Sequence, residues 1–176
     1  MNARASAFLL VVCSTRAWGA PVDACPGGAR PGGVSAPSDA LRRVTAEAGR
    51  RLSLTVPVGV TAAVSSACHA PSGVFFAPTW VPEADLAGAP AGSAAYSRVV
   101  WALASFAAAS TERRSVEAES VAARATGCAL GRSGLRGDPL YEAIDRLVTA
   151  LQPMAPSAGD SLRALVTQGA ATCSAN

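Results

Sequence analysis

Apolar positions in one part of the chain alternate with polar or small ones, which predicts a strand. Residues 52–60 read LSLTVPVGV, a period of two that is typical of a half-buried strand. Because Pro57 has no N–H to donate, this strand should lie at a sheet edge or break there. Val74-Phe75-Phe76 is a second, short strand candidate, which follows the turn-like sequence CHAPSG at residues 68–73. The pattern predicts a small antiparallel hairpin or sheet.

Elsewhere the apolar residues recur at helical spacing, and capping residues mark where helices begin. Ser38 and Ser93 can each cap a helix, and Asp138-Pro139 places an N-cap before a proline at the first helical position. Gly127 is expected to close the second helix, and the final helix is expected to be short. The predicted helices span residues 38–52, 93–125, 139–152 and 157–169. Three to four helices beside a small sheet give an α+β fold.

Residues 78–92, PTWVPEADLAGAPAG, contain three prolines and two glycines and are predicted to form a loop. Apolar side chains lie in this loop and just before it. They either complete a small core under the loop or form an interface with another protein. Trp80, which has a proline on each side, favours the interface. The residues concerned are Phe75, Phe76, Trp80, Val81 and Leu86.

The N-terminus is typical of an exported protein. Arg4 precedes an apolar run of nine residues, and Ala17-Trp18-Gly19 offers a cleavage site for signal peptidase. The run is too short to cross a bilayer, which needs about 20 apolar residues. We predict a signal peptide at residues 1–19, a Pro- and Gly-rich N-terminal arm at residues 20–37, and a single disulfide-stapled domain at residues 38–176.

The charge balance argues against electrostatic binding to polyanions. The chain has 15 arginines, no lysine and 12 acidic residues, and cleavage of the predicted signal peptide leaves 13 arginines. A nearly neutral protein does not attract nucleic acid or an anionic membrane over long range. We therefore expect neither partner, and contact with a membrane only through another protein.

Four cysteines remain after signal cleavage, and in an exported chain an even number indicates two disulfides. Four thiols allow three pairings, and the sequence by itself does not choose among them. The sequence separations favour Cys25 with Cys68 and Cys128 with Cys173.

The chain offers few residues for catalysis or for a cofactor. His69 is the only histidine, no Gly-x-Ser-x-Gly motif is present, and no two cysteines lie at the spacing of zinc ligands. The acidic pairs Glu83/Asp85 and Glu117/Glu119 are more typical of a solvated face than of a general acid and base. We expect a non-catalytic protein without metal or cofactor that acts by contact with another protein.

Residues 52–80, LSLTVPVGVTAAVSSACHAPSGVFFAPTW, resemble a segment of alphaherpesvirus envelope glycoprotein L. In that family an extended run leads into a Cys-x-x-Pro turn and then an apolar strand. The signal peptide, the aromatic helix AYSRVVWALASF and the amphipathic helix LYEAIDRLVTAL before the last cysteine follow in a similar order. Four cysteines paired first to second and third to fourth also fit this family.

The resemblance implies a small α+β domain with a chemokine-like element and a non-catalytic function. Such a protein would bind the ectodomain of glycoprotein H and assist its folding and transport. The heterodimer would then help to activate glycoprotein B for membrane fusion during entry. The protein would pass through the endoplasmic reticulum and Golgi, and would reach the virion envelope and the host cell surface through its partner.

The contact surface that goes with this interpretation comprises the arm around Cys25, the strand from Leu54 to Val60 and the loop from Phe75 to Leu86. An edge of the strand could pair with a strand of the partner. The side chains expected to contact the partner are Leu54, Val56, Val58, Val60, Phe75, Phe76, Trp80, Val81 and Leu86.

A secreted four-helix-bundle cytokine, interferon- or leptin-like and acting on a receptor, is the main alternative, and a secreted enzyme or inhibitor is a further one. Four cysteines and four amphipathic helices permit it. The strict alternation at residues 52–60 and the expected shortness of the final helix argue against it.

Overall fold

The computed structural model describes residues 22–111, 115–151 and 159–174. The predicted signal peptide lies outside these residues. The described chain is α+β, as predicted, but its six α-helices exceed the three to four expected. In chain order the elements are α1 (Asp39–Leu52), β1 (Val58–Val60), β2 (Ala67–Ala70), β3 (Gly73–Phe76), α2 (Glu83–Leu86), α3 (Ala94–Thr111), α4 (Ser115–Gly131), α5 (Asp138–Leu151) and α6 (Gly159–Ser174).

The sheet has three strands in the order β1-β3-β2, and its topology corrects the predicted hairpin. β3 pairs with β1 in parallel and with β2 in antiparallel. The predicted strand at residues 52–60 is shortened to β1, and residues 67–70, most of which were assigned to a turn, form β2. Because the chain reverses direction twice between β1 and β3, these two strands run the same way.

Two residues explain why β1 begins only at Val58. Leu52 still belongs to α1, and Ser53 has a left-handed backbone with φ of 55°, which ends that helix. Pro57, at the start of an edge strand, uses only its carbonyl, which accepts a hydrogen bond from the N–H of Val74 at 3.0 Å. The expectation that proline would confine the strand to a sheet edge is confirmed.

The first helix begins as its sequence predicts. The hydroxyl oxygen of Ser38 accepts a hydrogen bond from the N–H of Leu41 at 3.2 Å, which satisfies one of the open donors of the first turn. The same hydroxyl donates to a carboxylate oxygen of Glu83 at the start of α2. The cap of α1 therefore also ties this helix to the short helix in the 78–92 segment, which was predicted to be only a loop.

The predicted helix at residues 93–125 is two helices. α3 ends at Thr111, and α4 continues past Gly127 to Gly131. α3 is buried on most of its circumference, and α4 packs against it. A helix that is apolar on most faces needs neighbours on most sides, and a single straight helix could not cover itself.

The final helix, α6, has 16 residues, so the prediction of a short last helix is wrong. Its length removes one of the two arguments against a cytokine bundle. The other argument stands, because the chain contains a sheet.

α6 packs along α4 at very short distance. A Cβ atom placed on Gly127 would lie 1.9 Å from the carbonyl oxygen of Val166, and one on Gly169 would lie 2.1 Å from that of Arg124.

Both faces of the sheet are covered. Val74 and Phe76 belong to the main core, which includes most of the buried residues of α3. Phe75 points the other way, into a smaller cluster with Cys25 and Cys68 beneath the N-terminal arm. The described part of the arm is therefore packed against the sheet. No helix among the described residues has the length and apolar character needed to cross a membrane.

Candidate partner-binding surface

Five of the side chains expected to contact a partner are buried within the chain itself. Trp80, the most exposed of them, has 9% of its surface accessible and stacks on Phe76 with ring centroids 6.4 Å apart. They complete the core under the loop, which is one of the two arrangements that the sequence allowed, and their contact with a partner stays a prediction. The five are Phe75, Phe76, Trp80, Val81 and Leu86.

These side chains are buried because of the tertiary structure. β3 is the central strand of a sheet covered on both faces, so neither Phe75 nor Phe76 reaches the surface. The turn of helix at α2 directs Leu86 inward. The carbonyl oxygen of Trp80 accepts a hydrogen bond from the Arg98 guanidinium at 2.9 Å, which fastens the loop to α3.

The other four predicted contact residues are partly exposed. Leu54, Val56, Val58 and Val60 are each half-buried, while Ser53, Thr55 and Pro57, which precede the first three of them, are exposed. The alternation therefore does produce one inward and one outward side from residue 52 to residue 58, although only the last part of the segment is a strand. These four are the predicted contact residues that another protein could still reach.

The arm occupies both edges of the sheet. At the β1 edge, the backbone groups of Ser35 and Val60 exchange two hydrogen bonds of 2.9 and 3.1 Å. At the β2 edge, the N–H of Cys25 donates to the carbonyl of His69 at 2.8 Å, and the N–H of His69 donates to Asp23 at 3.0 Å. A partner strand could not add at Val60 or at His69 without displacing the arm.

The disulfides follow the pairing that the sequence separations favoured, Cys25 with Cys68 and Cys128 with Cys173. The first joins the arm to β2, beside the hydrogen bonds at His69. The second joins α4 to α6. Each disulfide therefore closes a contact that is also made by backbone packing.

A groove of about 580 Å³ lies between α1 and the extended residues 53–56. Leu54, Val56 and, from α3, Leu103 supply apolar lining, and Thr45 and Ser53 are among its polar residues. The backbone of Thr55 and Val56 makes no hydrogen bond with any described residue. The groove thus combines an apolar lining with an extended segment whose backbone is open to a partner.

Two arginines of α1 also line the groove. Arg42 already donates to the Asp39 carboxylate and, at 2.6 Å, to the carbonyl of Pro37. Arg50 is exposed and forms no ion pair within the described chain. The groove therefore favours a partner segment that carries a carboxylate opposite Arg50.

His69 does not lie in a turn, as the sequence suggested, but on β2, where its side chain is half-buried. Its ring meets that of Phe106 edge-on at 6.1 Å. Burial lowers the pKa of His69, and the charge of Asp23 opposes this shift. His69 and Ser110 line one pocket, but the hydroxyl of Ser110 donates to the carbonyl of Ala107 at 2.7 Å. In the described chain no hydroxyl and imidazole are joined as nucleophile and base.

Glu119 is buried, although it was expected to lie on a solvated face. Only 6% of its surface is accessible, and burial raises the pKa of its carboxyl to about 7. The expectation that the pair Glu117/Glu119 lies on a solvated face is therefore wrong for Glu119. The neighbouring alanines Ala118, Ala122 and Ala123, all buried, were the available signal that this side of α4 faces inward.

Among the described residues no three His, Cys, Asp or Glu side chains come together as a metal site would require. Comparison with known proteins adds no relative. No family model, no curated protein and no solved structure matches this chain.

Proposed function

We propose that this protein is a non-catalytic envelope subunit that binds the ectodomain of glycoprotein H. The observation that carries the proposal is the groove beside α1, because two of the predicted contact residues, Leu54 and Val56, line it. Contact would be made there by an extended segment of the partner.

The groove suits an extended segment for three reasons. The backbone of Thr55 and Val56 can form hydrogen bonds with a neighbouring strand. Leu103 and the small residues Ala46 and Gly49 of α1 line the groove and leave room for side chains that point into it. Arg50 attracts an acidic residue, which would fix the direction and register of the segment.

In this proposal the protein assists the folding and transport of glycoprotein H, and the heterodimer helps to activate glycoprotein B for membrane fusion. The partner would hold the protein at the virion envelope and the host cell surface. Neither nucleic acid nor a cofactor takes part. The division of labour is physically consistent, because a subunit that docks onto a membrane-anchored protein needs no membrane span of its own.

The test is co-expression with a membrane-anchored glycoprotein H, followed by surface staining and co-purification. We expect the partner to retain the protein at the cell surface. Ala46 is an exposed, groove-lining residue of α1, and Ala46→Arg should fill the groove and reduce co-purification at least about tenfold, as expected for a central interface position. Ala164→Arg, at an exposed helical position outside the groove, is the matched control.

Surface staining that is the same with and without the partner would contradict the proposal. If the partner retains the protein but Ala46→Arg binds as well as the control, the contact lies elsewhere and the groove is not the docking site. Activation of a receptor by the purified chain alone would favour the cytokine alternative.

A further inference from the structure

The two disulfides lie in different surroundings. Cys25 and Cys68 each have 2% of their surface accessible and belong to the cluster beneath the arm. Cys128 and Cys173 are both partly exposed. Since a thiolate must reach a sulfur atom in line with the S–S bond, access sets how fast a disulfide exchanges.

A pocket of about 460 Å³ opens over Cys128 and Cys173, on the face where α4 and α6 meet. Val121 and Ala125 give it an apolar wall, and Gln168 and Thr172 line the side formed by α6. Arg124, one helical turn before Cys128, supplies a positive charge. The pocket has room for a small peptide-sized thiol and a charge that attracts an anionic one.

We propose that this pocket is a thiol-exchange site, at which a small anionic thiol opens the Cys128–Cys173 disulfide. The thiolate attacks one of the two sulfurs, a mixed disulfide forms, and the other cysteine leaves as a thiolate that takes a proton from water. A second thiol then attacks the mixed disulfide. The external thiol is oxidised to its disulfide, and both cysteines are left reduced.

The helices should stay together after the bond opens. The contacts at Gly127, Gly131 and Gly169 bring the backbones of α4 and α6 together independently of the sulfur atoms. The buried side chains Ala123, Leu162 and Val166 contribute to the main core from the same two helices. Exchange at this site therefore produces a thiol pair on a folded protein.

The experiment exposes the full-length secreted protein, under native conditions, to reduced glutathione as the anionic thiol. Free thiols are blocked with N-ethylmaleimide at intervals, and the peptides are identified by mass spectrometry after cleavage at arginine. Such cleavage places each of the four cysteines on a different peptide. We expect Cys128 and Cys173 to be labelled at least about tenfold faster than Cys25 and Cys68, with the helical circular dichroism unchanged.

Arg124→Ala tests the contribution of charge. It should slow exchange with glutathione several-fold at low salt but leave the rate with uncharged 2-mercaptoethanol unchanged. Arg43→Ala is the control. It removes an exposed arginine of α1, distant in sequence from Arg124, makes the same change in net charge and should alter neither rate.

The proposal is overturned if Cys25 and Cys68 are labelled as fast as the other pair. It is equally overturned if Cys128 and Cys173 become reactive only when the helical signal is lost. If Arg124→Ala slows exchange with glutathione and with 2-mercaptoethanol equally, the part assigned to the arginine is overturned.

Discussion

The substitution Gly169→Ala tests whether backbone contact holds α4 and α6 together. A Cβ atom at this position would lie 2.1 Å from the carbonyl oxygen of Arg124, and two further backbone atoms of Arg124 lie at 2.8 Å. All three obstructing atoms are main-chain, so no side-chain rotation can relieve the clash. The two helices would have to separate.

The expected magnitude follows from two opposing effects. Alanine is a better helix former than glycine by about 1 kcal/mol, which favours the variant. An ordinary contact needs 3.4 Å, so the helices must move apart by about 1.3 Å locally, and the loss of packing for such an insertion is typically 1–3 kcal/mol or more. Since the Cys128–Cys173 bond limits the movement, we expect the upper part of that range and a net destabilisation of about 2 kcal/mol.

The assay is urea denaturation of the oxidised protein, followed by circular dichroism. Ala171→Gly, at an exposed position of the same helix, is the control for propensity and should destabilise by about 1 kcal/mol. If propensity alone mattered, Gly169→Ala would stabilise the protein. A Gly169→Ala protein that is as stable as the wild type or more stable would therefore refute the packing argument.

Three further substitutions test other parts of the structure. Phe76→Ala should cost about 3–5 kcal/mol in urea denaturation, because the ring is fully buried and stacks on Trp80; an unchanged midpoint would contradict its placement in the core. Replacing Cys25 and Cys68 together by serine should cost about 4 kcal/mol for a loop of this length, measured in the same way against wild type. Burial raises the pKa of Glu119 to about 7, so the folded state holds its proton more tightly than the unfolded state and stability falls as pH rises from 4.5 through 7. Glu119→Gln should lose this component, and denaturation curves at about pH 5 and about pH 8 that shift equally in both proteins would contradict it.

The sequence determined the local features of this protein. Ser38 marks the beginning of α1 because its hydroxyl can satisfy an open N–H of the first turn. Pro57 restricts the strand to an edge because it lacks a donor. The α+β class followed from apolar periodicity, and the cysteine separations favoured one of the three possible disulfide pairings, which the structure confirms. Each of these properties depends on residues that are close together in the chain or on the number and separation of the cysteines.

The tertiary structure decided which apolar residues are buried and where the grooves lie. Exposed and buried aromatic residues have the same local pattern, so Phe75, Phe76 and Trp80 could be assigned to the core only once β3 was central and both faces of the sheet were covered. The tertiary structure also decided which predicted contact residues lie beside a groove, while their contact with a partner stays a prediction. Leu54 and Val56 line a groove, but α1 and Leu103, which form the rest of it, come from distant parts of the chain.

The break between α3 and α4 has the same origin. Helical propensity continues through residues 93–125, but α3 is buried on most of its faces and α4 packs against it, an arrangement that one straight helix could not make. Gly127 has the sequence signature of a helix end, yet it lies inside α4 because α6 approaches to backbone contact there. Local preference sets which conformations a segment can adopt, and the packing of segments distant in sequence selects among them, because burial is a property of the whole fold.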